Sequence, residues 1–222
     1  MAGLDRRLKL VRRLASARQR EKLGLFVCEG EDLVDAARAA GVEPVELLVA
    51  GEDVDPAKLG EVSALGHPPR VLGIFRRADL ARGAELPPVG LALWRVGDPG
   101  NVGALIRTAD ALGPAFVALS EGCADPTGPK AVRASMGALF RVPLIPFDDA
   151  PRPWTALVAH GGAPIGRAPG RTFVLGAERE GIPDDVLARC DKRVTIPLAP
   201  GAESLNVAAA GAIALYERLQ AG

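Results

Sequence analysis

The chain has 222 residues, of which 48% are hydrophobic, and its 27 basic and 27 acidic side chains give a net charge of zero. This length suits one large domain or two small ones, and the apolar fraction is sufficient for a packed core. A zero net charge does not indicate a nucleic-acid binder that is strongly basic overall. No apolar stretch reaches the length of a membrane span. The charged N-terminus has no apolar core, so we do not expect it to be a secretory signal.

The cysteines and histidines indicate no metal site. Cys28, Cys123 and Cys190 are odd in number and far apart, so they form neither a disulfide framework nor a C-x-x-C zinc pattern. We therefore expect a reducing, cytoplasmic setting. His67 and His160 have no ligand partners nearby in the sequence, and we interpret both as surface or loop residues.

The N-terminal segment predicts a basic helix over residues 4–23, with leucine and valine at helical spacing. Its Lys and Arg residues far outnumber Asp5 and Glu21. They are Arg6, Arg7, Lys9, Arg12, Arg13, Arg18, Arg20 and Lys22. Such a run is either a solvated helix face or a surface that binds phosphates, and the segment alone leaves both interpretations open.

A small α/β unit is predicted after this helix. Its elements are strands at 25–28, 45–49 and 71–75 and a helix at 32–40. Residues 82–88 are rich in turn formers and predict a linker. We therefore divide the chain into an N-terminal domain, residues 1–86, and a C-terminal domain, residues 87–222.

In the C-terminal part, predicted strands and helices alternate, which indicates an α/β fold with a parallel sheet. The predicted strands are 90–96, 115–119, 173–175 and 194–196, and the predicted helices are 103–112, 129–139 and 205–219.

Three segments place glycine turns and polar side chains at predicted strand ends, where open α/β sheets bind their ligands. They are residues 98–110 (DPGNVGALIRTAD), 175–181 (LGAEREG) and 196–206 (IPLAPGAESLN). Asn101 can orient a ligand or cap a helix, and Arg107 lies one helical turn beyond Gly103 on the same face. Helix caps and a surface arginine explain each segment when it is taken alone.

Other nucleotide and hydrolase patterns are absent from the sequence. There is no P-loop, no G-x-G-x-x-G after a strand and no G-x-S-x-G around Ser204. The small residues of 208–211 allow another helix, or a second subunit, to pack closely.

In their order and spacing, the three segments resemble the motifs of the SpoU/TrmH family of RNA 2′-O-ribose methyltransferases, within the SPOUT superfamily. The resemblance covers residues 90–222 and includes PKAVRASMGA at 129–138. It implies a parallel sheet with a deep trefoil knot, which general rules of chain threading would not predict. It also implies a homodimer through the C-terminal domain and S-adenosylmethionine as cofactor. Residues 4–50 resemble the accessory substrate-binding domain of longer members, which is similar to a ribosomal RNA-binding protein.

The resemblance also implies roles for individual residues. Asp98 stands where the family commonly has Asn, and Ala177 where it commonly has Ser. The implied catalytic and substrate-site residues are Asn101, Arg107, Glu178, Ser204 and Asn206. The implied cofactor-binding residues are Leu175, Gly176, Gly181, Ile196, Leu198, Ser204 and Leu205. The implied RNA-binding residues are Arg12, Arg13, Arg18, Arg20, Lys130 and Arg133.

The expected reaction is methyl transfer to a ribose of 23S ribosomal RNA, because an accessory domain is more typical of the family's ribosomal RNA enzymes. Arg107 is always protonated and is a poor base, so we expect it to stabilise the developing alkoxide and hold the adjacent phosphate, with Glu178 orienting it. A transfer RNA substrate and a non-catalytic RNA-binding or assembly protein are the alternatives. A small-molecule methyltransferase is disfavoured by the basic helix.

Overall fold

The computed structural model describes residues 2–80, 85–166 and 170–220. The helices and strands of the first range are α1 Ala2–Leu14, α2 Ala17–Leu23, β1 Leu25–Glu29, α3 Glu31–Ala39, β2 Glu46–Val49, α4 Pro56–Gly60 and β3 Val71–Arg76. Those of the other two ranges are β4 Val89–Leu93, α5 Pro99–Ala111, β5 Ala115–Leu119, α6 Pro129–Ser135, β6 Leu144–Pro146, β7 Trp154–Leu157, β8 Ala163–Pro164, β9 Thr172–Leu175, α7 Asp184–Leu187, β10 Lys192–Thr195 and α8 Val207–Gln220.

The N-terminal unit is a three-stranded antiparallel sheet in the order β1-β3-β2, covered by helices. The central strand β3 alternates its side chains between two apolar clusters. Leu72 and Ile74 pack with Leu8 and Leu14 of α1, while Phe75 joins the larger core that extends into the C-terminal part. The sheet is therefore buried on both faces.

The predicted helix over residues 4–23 is wrong, because the chain breaks into α1 and α2. Ser16 adopts an extended conformation, with φ −85° and ψ 128°, directly before α2. Arg20 fills the break: its Nη1 donates to the carbonyl oxygens of Leu14 and Ala15, each at 2.9 Å. Those carbonyls belong to the last turn of α1, where no intrahelical donor remains for them.

The C-terminal part is built on a seven-stranded sheet in the order β6-β5-β4-β9-β7-β10-β8, and every neighbouring pair is parallel. The interior strand β4 is buried along its whole length, as expected for a strand covered on both faces. This confirms the predicted α/β fold with a parallel sheet. Gly211 of α8 packs directly onto Leu105 of α5, so the small residues of α8 serve a contact within the chain.

Two further predictions differ from the structure. The helix predicted over 129–139 ends at Ser135, because Met136 and Gly137 adopt left-handed conformations, with φ 49° and 84°, before a 3₁₀ turn at Ala138–Phe140. The strands β6, β7 and β8 were not predicted. They have two to four residues each, which is too short for a clear periodic signal.

The two parts pack together through aromatic rings and one buried ion pair. Phe26 and Phe75 of the N-terminal sheet surround Phe140, with ring centroids 5.2–6.0 Å apart. Of the predicted linker, residues 82–84 lie outside the described residues. The domain boundary at 86–87 remains a prediction.

The buried ion pair joins Arg20 to Asp125, with Nε and Nη2 each 2.8 Å from the Asp125 carboxylate. Arg20 is only 5% exposed, so its guanidinium is not available to a phosphate. The structure thus contradicts the implied RNA contact of Arg20. Burial by itself would raise the pKa of Asp125, but hydrogen bonds from Thr127 and the charge of Arg20 hold that pKa below its usual value.

We expect Arg20→Ala to lower the free energy of unfolding by about 3–5 kcal/mol, because it leaves Asp125 charged and unpaired at a partly buried site. Urea unfolding at pH 7 measures this change. The exposed Arg18 is the matched control, and Arg18→Ala should change stability by less than about 0.5 kcal/mol. Equal stability of the two variants would show that the pair does not join the two parts. The contribution should be full above the ordinary pKa of an aspartate, about 4, and should be lost as the pH falls through the lowered pKa of Asp125 in the folded protein.

Candidate active site

The candidate site lies at the carboxyl edge of the parallel sheet, which we define as the loops that follow β4, β7, β9 and β10. Because these strands are parallel, their carboxyl ends meet at one edge, and the loops after them converge there. The predicted segments 175–181 and 196–206 lie in or beside these loops, and the segment 98–110 begins at the end of the loop after β4 and continues into α5.

A cavity of about 660 Å³ opens among the loops after β7, β9 and β10. We call it the main cavity. It is lined by all seven of the predicted cofactor-binding residues: Leu175, Gly176, Gly181, Ile196, Leu198, Ser204 and Leu205. Glu178 and Asn206, from the predicted catalytic set, line it as well. The structure thus brings residues from two distant segments into one hollow.

A chain of side-chain hydrogen bonds connects the three segments. Asn101 Nδ2 donates to Glu178 Oε1 at 2.8 Å, and Asn206 Nδ2 donates to Asn101 Oδ1 at 3.1 Å. Glu178 also accepts weaker hydrogen bonds from the backbone amides of Gly97 and Asp98, at 3.4 and 3.3 Å. We call Asn101, Glu178 and Asn206 the polar triad.

Each asparagine of the triad is fixed by the start of a helix. Asp98 Oδ1 accepts from the Asn101 backbone amide at 3.0 Å, and Pro99 takes the first helical position, so α5 begins well before the predicted residue 103. Asn206 Oδ1 accepts from the amides of Ala208 and Ala209, at 2.9 and 3.3 Å, and caps α8. Asn206 thus belongs both to a helix cap and to the triad, and the capped first turn of α5 holds Asn101. A capping role and a role in the candidate site are therefore compatible.

Glu178 is a carboxylate at neutral pH. Burial would raise its pKa, but hydrogen bonds from the Asn101 side chain and from backbone amides lower it below the usual value. The sequence led us to expect Glu178 to orient Arg107. Within the described residues of one chain, Glu178 is bonded to Asn101 and not to Arg107, so an orienting role toward Arg107 stays a prediction.

Arg107 lies on the exposed face of α5 and is not among the residues that line the main cavity. Within the described residues it makes no side-chain hydrogen bond or ion pair. Gly103, one turn earlier, is buried where α5 crosses α6, and a side chain there would overlap Ala131. The close approach that Gly103 permits is thus between two helices.

The glycines of the second segment form the back of the main cavity. Ala177 and Gly181 exchange backbone hydrogen bonds of 3.1 and 2.9 Å, which folds the loop back on itself. Gly181 has φ +68°, a conformation that glycine adopts without strain. A Cβ atom on Gly176 would overlap the backbone of Gly181.

A smaller cavity of about 420 Å³ lies beside the main cavity. We call it the side cavity. The loop 177–180 lines both cavities, and the side cavity is completed by Arg95, Gly97, Asp98 and Asn101. The Asp98 carboxylate is paired with Lys130 Nζ at 2.7 Å, and this hydrogen bond lowers its pKa.

The remaining implied RNA-binding residues lie on the surface or are half-buried. Arg12 pairs with Glu61 and Arg13 bonds Gln19, each at 3.0 Å, while Arg18 is exposed. Lys130 is exposed and Arg133 is half-buried on α6. His67 and His160 are both exposed, as predicted.

Sequence reasoning missed part of the main cavity. Residues 157–160 after β7, with Ile182 and Leu187, also line it. The signal for β7 was present, since residues 154–159 (WTALVA) form an apolar run between Pro153 and the glycines 161–162. His160 therefore lines the main cavity, although we had interpreted it only as a loop residue.

Comparison with known proteins identifies the family. The SpoU rRNA methylase family model matches residues 88–216. The chain is 30% identical to the 23S rRNA (guanosine(2553)-2′-O)-methyltransferase of Bacillus subtilis, over 96% of this chain and 95% of that protein. It is 31% identical to the 23S rRNA (guanosine-2′-O-)-methyltransferase of Ralstonia nicotianae, over 86% of this chain and 82% of that protein.

Among solved structures, the SpoU methyltransferase AviRb from Streptomyces viridochromogenes, in complex with AdoMet, has a TM-score of 0.85. It is 25% identical, over 96% of this chain and 97% of that one. The site and fold define an α/β methyltransferase. The chain belongs to the SpoU family of RNA methylases, which confirms the resemblance on which the site residues were assigned.

The main cavity fits S-adenosylmethionine on its own geometry. Its volume of about 660 Å³ lies within the range of about 300–1,000 Å³ that small-molecule sites occupy. Its walls are mostly aliphatic, and two glycines of the Gly176–Gly181 loop line it without side chains that would fill the space. Within the described residues, no cluster of His, Cys, Asp or Glu is suited to a metal ion. None of the helices in that part of the chain is long and apolar enough to cross a membrane.

Proposed function

We propose that this protein transfers the methyl group of S-adenosylmethionine to a ribose 2′-hydroxyl of 23S ribosomal RNA. As a member of the SpoU family, it is an S-adenosylmethionine-dependent RNA 2′-O-methyltransferase. The observation that carries the proposal is the convergence of two distant segments on the main cavity, to which the Asn101–Glu178–Asn206 triad joins the third segment. The ribosomal RNA target is supported by the names of two relatives and by the basic N-terminal helices.

Residues of the main cavity hold the cofactor, and those of the side cavity hold the ribose. When bound, S-adenosylmethionine supplies an electrophilic methyl group. Leu175, Ile196 and Leu205 provide apolar walls, and the backbone of the Gly176–Gly181 loop provides polar contacts. Loop 177–180 separates the two cavities, so it is placed to align the ribose oxygen with the methyl group, which is a problem of proximity and orientation.

The polar triad positions the reacting sugar. Glu178 stays ionised and accepts from Asn101, so the carboxylate fixes the amide rather than serving as a general base. Asn206 orders the start of α8 and holds Asn101, which lines the side cavity, while the neighbouring Ser204 lines the main cavity. The proton of the 2′-hydroxyl passes to water or to a phosphate, because a guanidinium has donors only and no site that accepts a proton.

We further propose that the protein acts as a homodimer through its C-terminal part. Tyr216 and Leu219 of α8 are 52% and 48% exposed, and Leu205 at the main cavity is 41% exposed. Burying such side chains against a second copy would remove apolar area from water. The α8 helix packs on α5, whose exposed face carries Arg107, so a dimer formed there would bring the partner's copy of α5 near the main cavity.

Three finer expectations complete the proposal. The chain after β9 is proposed to be threaded into the trefoil knot of the SPOUT fold, since the loops after β9 and β10 both form the main cavity. The N-terminal unit is proposed to bind RNA through the exposed faces of α1 and α2. Cytoplasmic localisation follows from the ribosomal RNA substrate.

The direct test is tritium transfer from labelled S-adenosylmethionine to 23S ribosomal RNA transcribed in vitro, with 16S ribosomal RNA and total transfer RNA in parallel. Labelled 23S RNA that resists alkaline cleavage at one nucleotide supports the proposal. Label in transfer RNA alone would show that transfer RNA, and not ribosomal RNA, is the substrate. Cofactor binding without methyl transfer to any RNA would indicate the non-catalytic RNA-binding protein.

Arg107→Lys should lower kcat by about 100-fold or more, because an ammonium does not reproduce the fixed fork of a guanidinium at a phosphate or alkoxide. The pH–rate profile of the variant is measured beside that of wild type. Retained activity with an unchanged profile would contradict a dedicated role for the guanidinium.

Because Arg107 is exposed and does not line the main cavity of its own chain, we expect the Arg107 of one subunit to serve the active site of the other subunit in a dimer. Mixing Arg107→Ala with a variant that cannot bind the cofactor should restore about one quarter of wild-type activity. In a mixed dimer, the Arg107→Ala subunit binds the cofactor and the other subunit supplies Arg107, so one of the two sites is complete. About half of the dimers are mixed, which gives about one quarter of the wild-type number of sites. No restoration would place Arg107 in the cavity of its own chain.

A further inference from the structure

The side cavity contains an arginine that neither the predicted motifs nor the polar triad uses. Arg95 lies two residues after the end of β4, is exposed, and lines the side cavity together with Asn101 and Glu178. It lies three residues before the Asp98 cap, in the loop whose amides at Gly97 and Asp98 bond Glu178. Any RNA strand that enters the side cavity to present a ribose therefore passes this side chain.

The backbone of Arg95 is held in a conformation that its side chain disfavours. Its φ is +52°, in the left-handed region where glycine is the usual residue. The Arg95 amide donates to Ser120 Oγ at 2.9 Å, which fixes this conformation from the neighbouring strand end. Strained residues of this kind cluster at functional sites, where the surrounding structure maintains them.

The side chain of Arg95 is supported on two sides. A Cβ on Gly122 would lie 3.1 Å from Arg95 Cγ, so the aliphatic part of the arginine rests against that glycine. The guanidinium lies 5.8 Å from the ring centroid of Trp94, and that ring packs edge-on against Phe147 with centroids 5.1 Å apart. These contacts hold the cation in place before any ligand arrives.

The charge of Arg95 is available to a ligand. Its guanidinium has no ion pair or hydrogen bond within the described part of the chain. Of the acids that line the side cavity, Asp98 pairs with Lys130 and Glu178 accepts from Asn101, while Glu180 forms no ion pair with Arg95. An unpaired guanidinium beside a site for ribose suits an RNA phosphate, which it can bind through two hydrogen bonds.

We propose that Arg95 binds the backbone phosphate next to the methylated ribose and thereby sets the position of that ribose in the side cavity. The proposal rests on the proposed methyl transfer to RNA and adds a positioning residue to it. Arg95 acts on the RNA strand and not on the cofactor, because it lines the side cavity but not the main cavity.

The test uses Arg95→Gly and Arg95→Gln in the full chain. Both remove the charge, but only the glycine relieves the left-handed strain. For both variants we expect kcat/KM for 23S ribosomal RNA to fall by about 10-fold or more, with the Kd for S-adenosylmethionine unchanged. The slope of log Kd for RNA against log salt should decrease by about 0.7, the value for one phosphate on a single strand. The Tm of Arg95→Gly should equal or exceed that of wild type.

The control is Arg193→Gln, which removes the same charge from an exposed residue of β10. It should leave both kcat/KM and the salt slope at wild-type values. An unchanged salt slope in both Arg95 variants, or a Tm of Arg95→Gly well below wild type, would overturn the proposal. Because RNA binding is measured without transfer, this result is separate from the failure of wild type to methylate RNA, which would overturn the proposed function.

Discussion

Gly176→Ala should weaken cofactor binding strongly while leaving the fold intact. The new Cβ would overlap the Gly181 backbone, so the loop that closes the back of the main cavity must shift. Overpacking of this kind costs about 1–3 kcal/mol, which corresponds to a rise in Kd for S-adenosylmethionine of about 5- to 150-fold. Isothermal titration calorimetry measures the Kd directly.

The matched control is Gly166→Ala, because a Cβ on Gly166 meets nothing within 4 Å and its φ is not positive. We expect wild-type affinity for this variant. Circular dichroism and Tm would show that Gly176→Ala is still folded. Unchanged affinity of Gly176→Ala would mean that the cofactor does not lie against this loop, and the assignment of the main cavity would fail.

Asn101→Ala should lower kcat/KM by about 100- to 1,000-fold, the loss typical of removing one preorganised donor from an active site. It leaves Glu178 without its shortest hydrogen bond and removes the acceptor for Asn206. Since Asn101 lines the side cavity and not the main cavity, the Kd for S-adenosylmethionine should stay within a few-fold of wild type. Single-turnover methyl transfer separates the chemical step from binding.

Two variants of Asn206 separate the triad from the helix cap. Asn206→Asp keeps the oxygen that caps α8 and removes the donor to Asn101, so activity should fall with little change in stability. Asn206→Ala removes both, and should also lose about 1 kcal/mol of stability. If Asn206→Asp were fully active, the hydrogen bond between the two asparagines would have no part in the reaction.

The family resemblance implied seven cofactor-binding residues, and each of them stands beside a turn with a local signature. The Gly176–Gly181 loop and the segment 196–206 each follow a buried strand, and parallel strands bring such loops to one edge. All seven implied residues line the main cavity for that reason. The loop after β7 escaped prediction because β7 has four residues, too few to separate a strand from any other apolar run.

Arg20 and Glu178 show why the remainder was not predictable. In the sequence, Arg20 is indistinguishable from the other basic residues of the N-terminal segment. Its ion-pair partner, Asp125, lies 105 positions away in the chain. Glu178 was expected to orient Arg107, but its partner is Asn101, 77 positions away. The partners of such side chains are set by which residues lie close together in the folded chain. The periodicity of helices and strands carries no information about these long-range contacts.

By itself, the sequence determined the α/β class, the parallel sheet, the three site segments and the family, because these depend on local patterns of apolar spacing, turns and motifs. Only the tertiary structure decided that Arg20 is buried, that Asn101 joins Glu178 to Asn206, and that Arg95 faces the side cavity. Those outcomes depend on contacts between residues far apart in the chain, and such contacts are fixed only when the packed sheet brings its loops together.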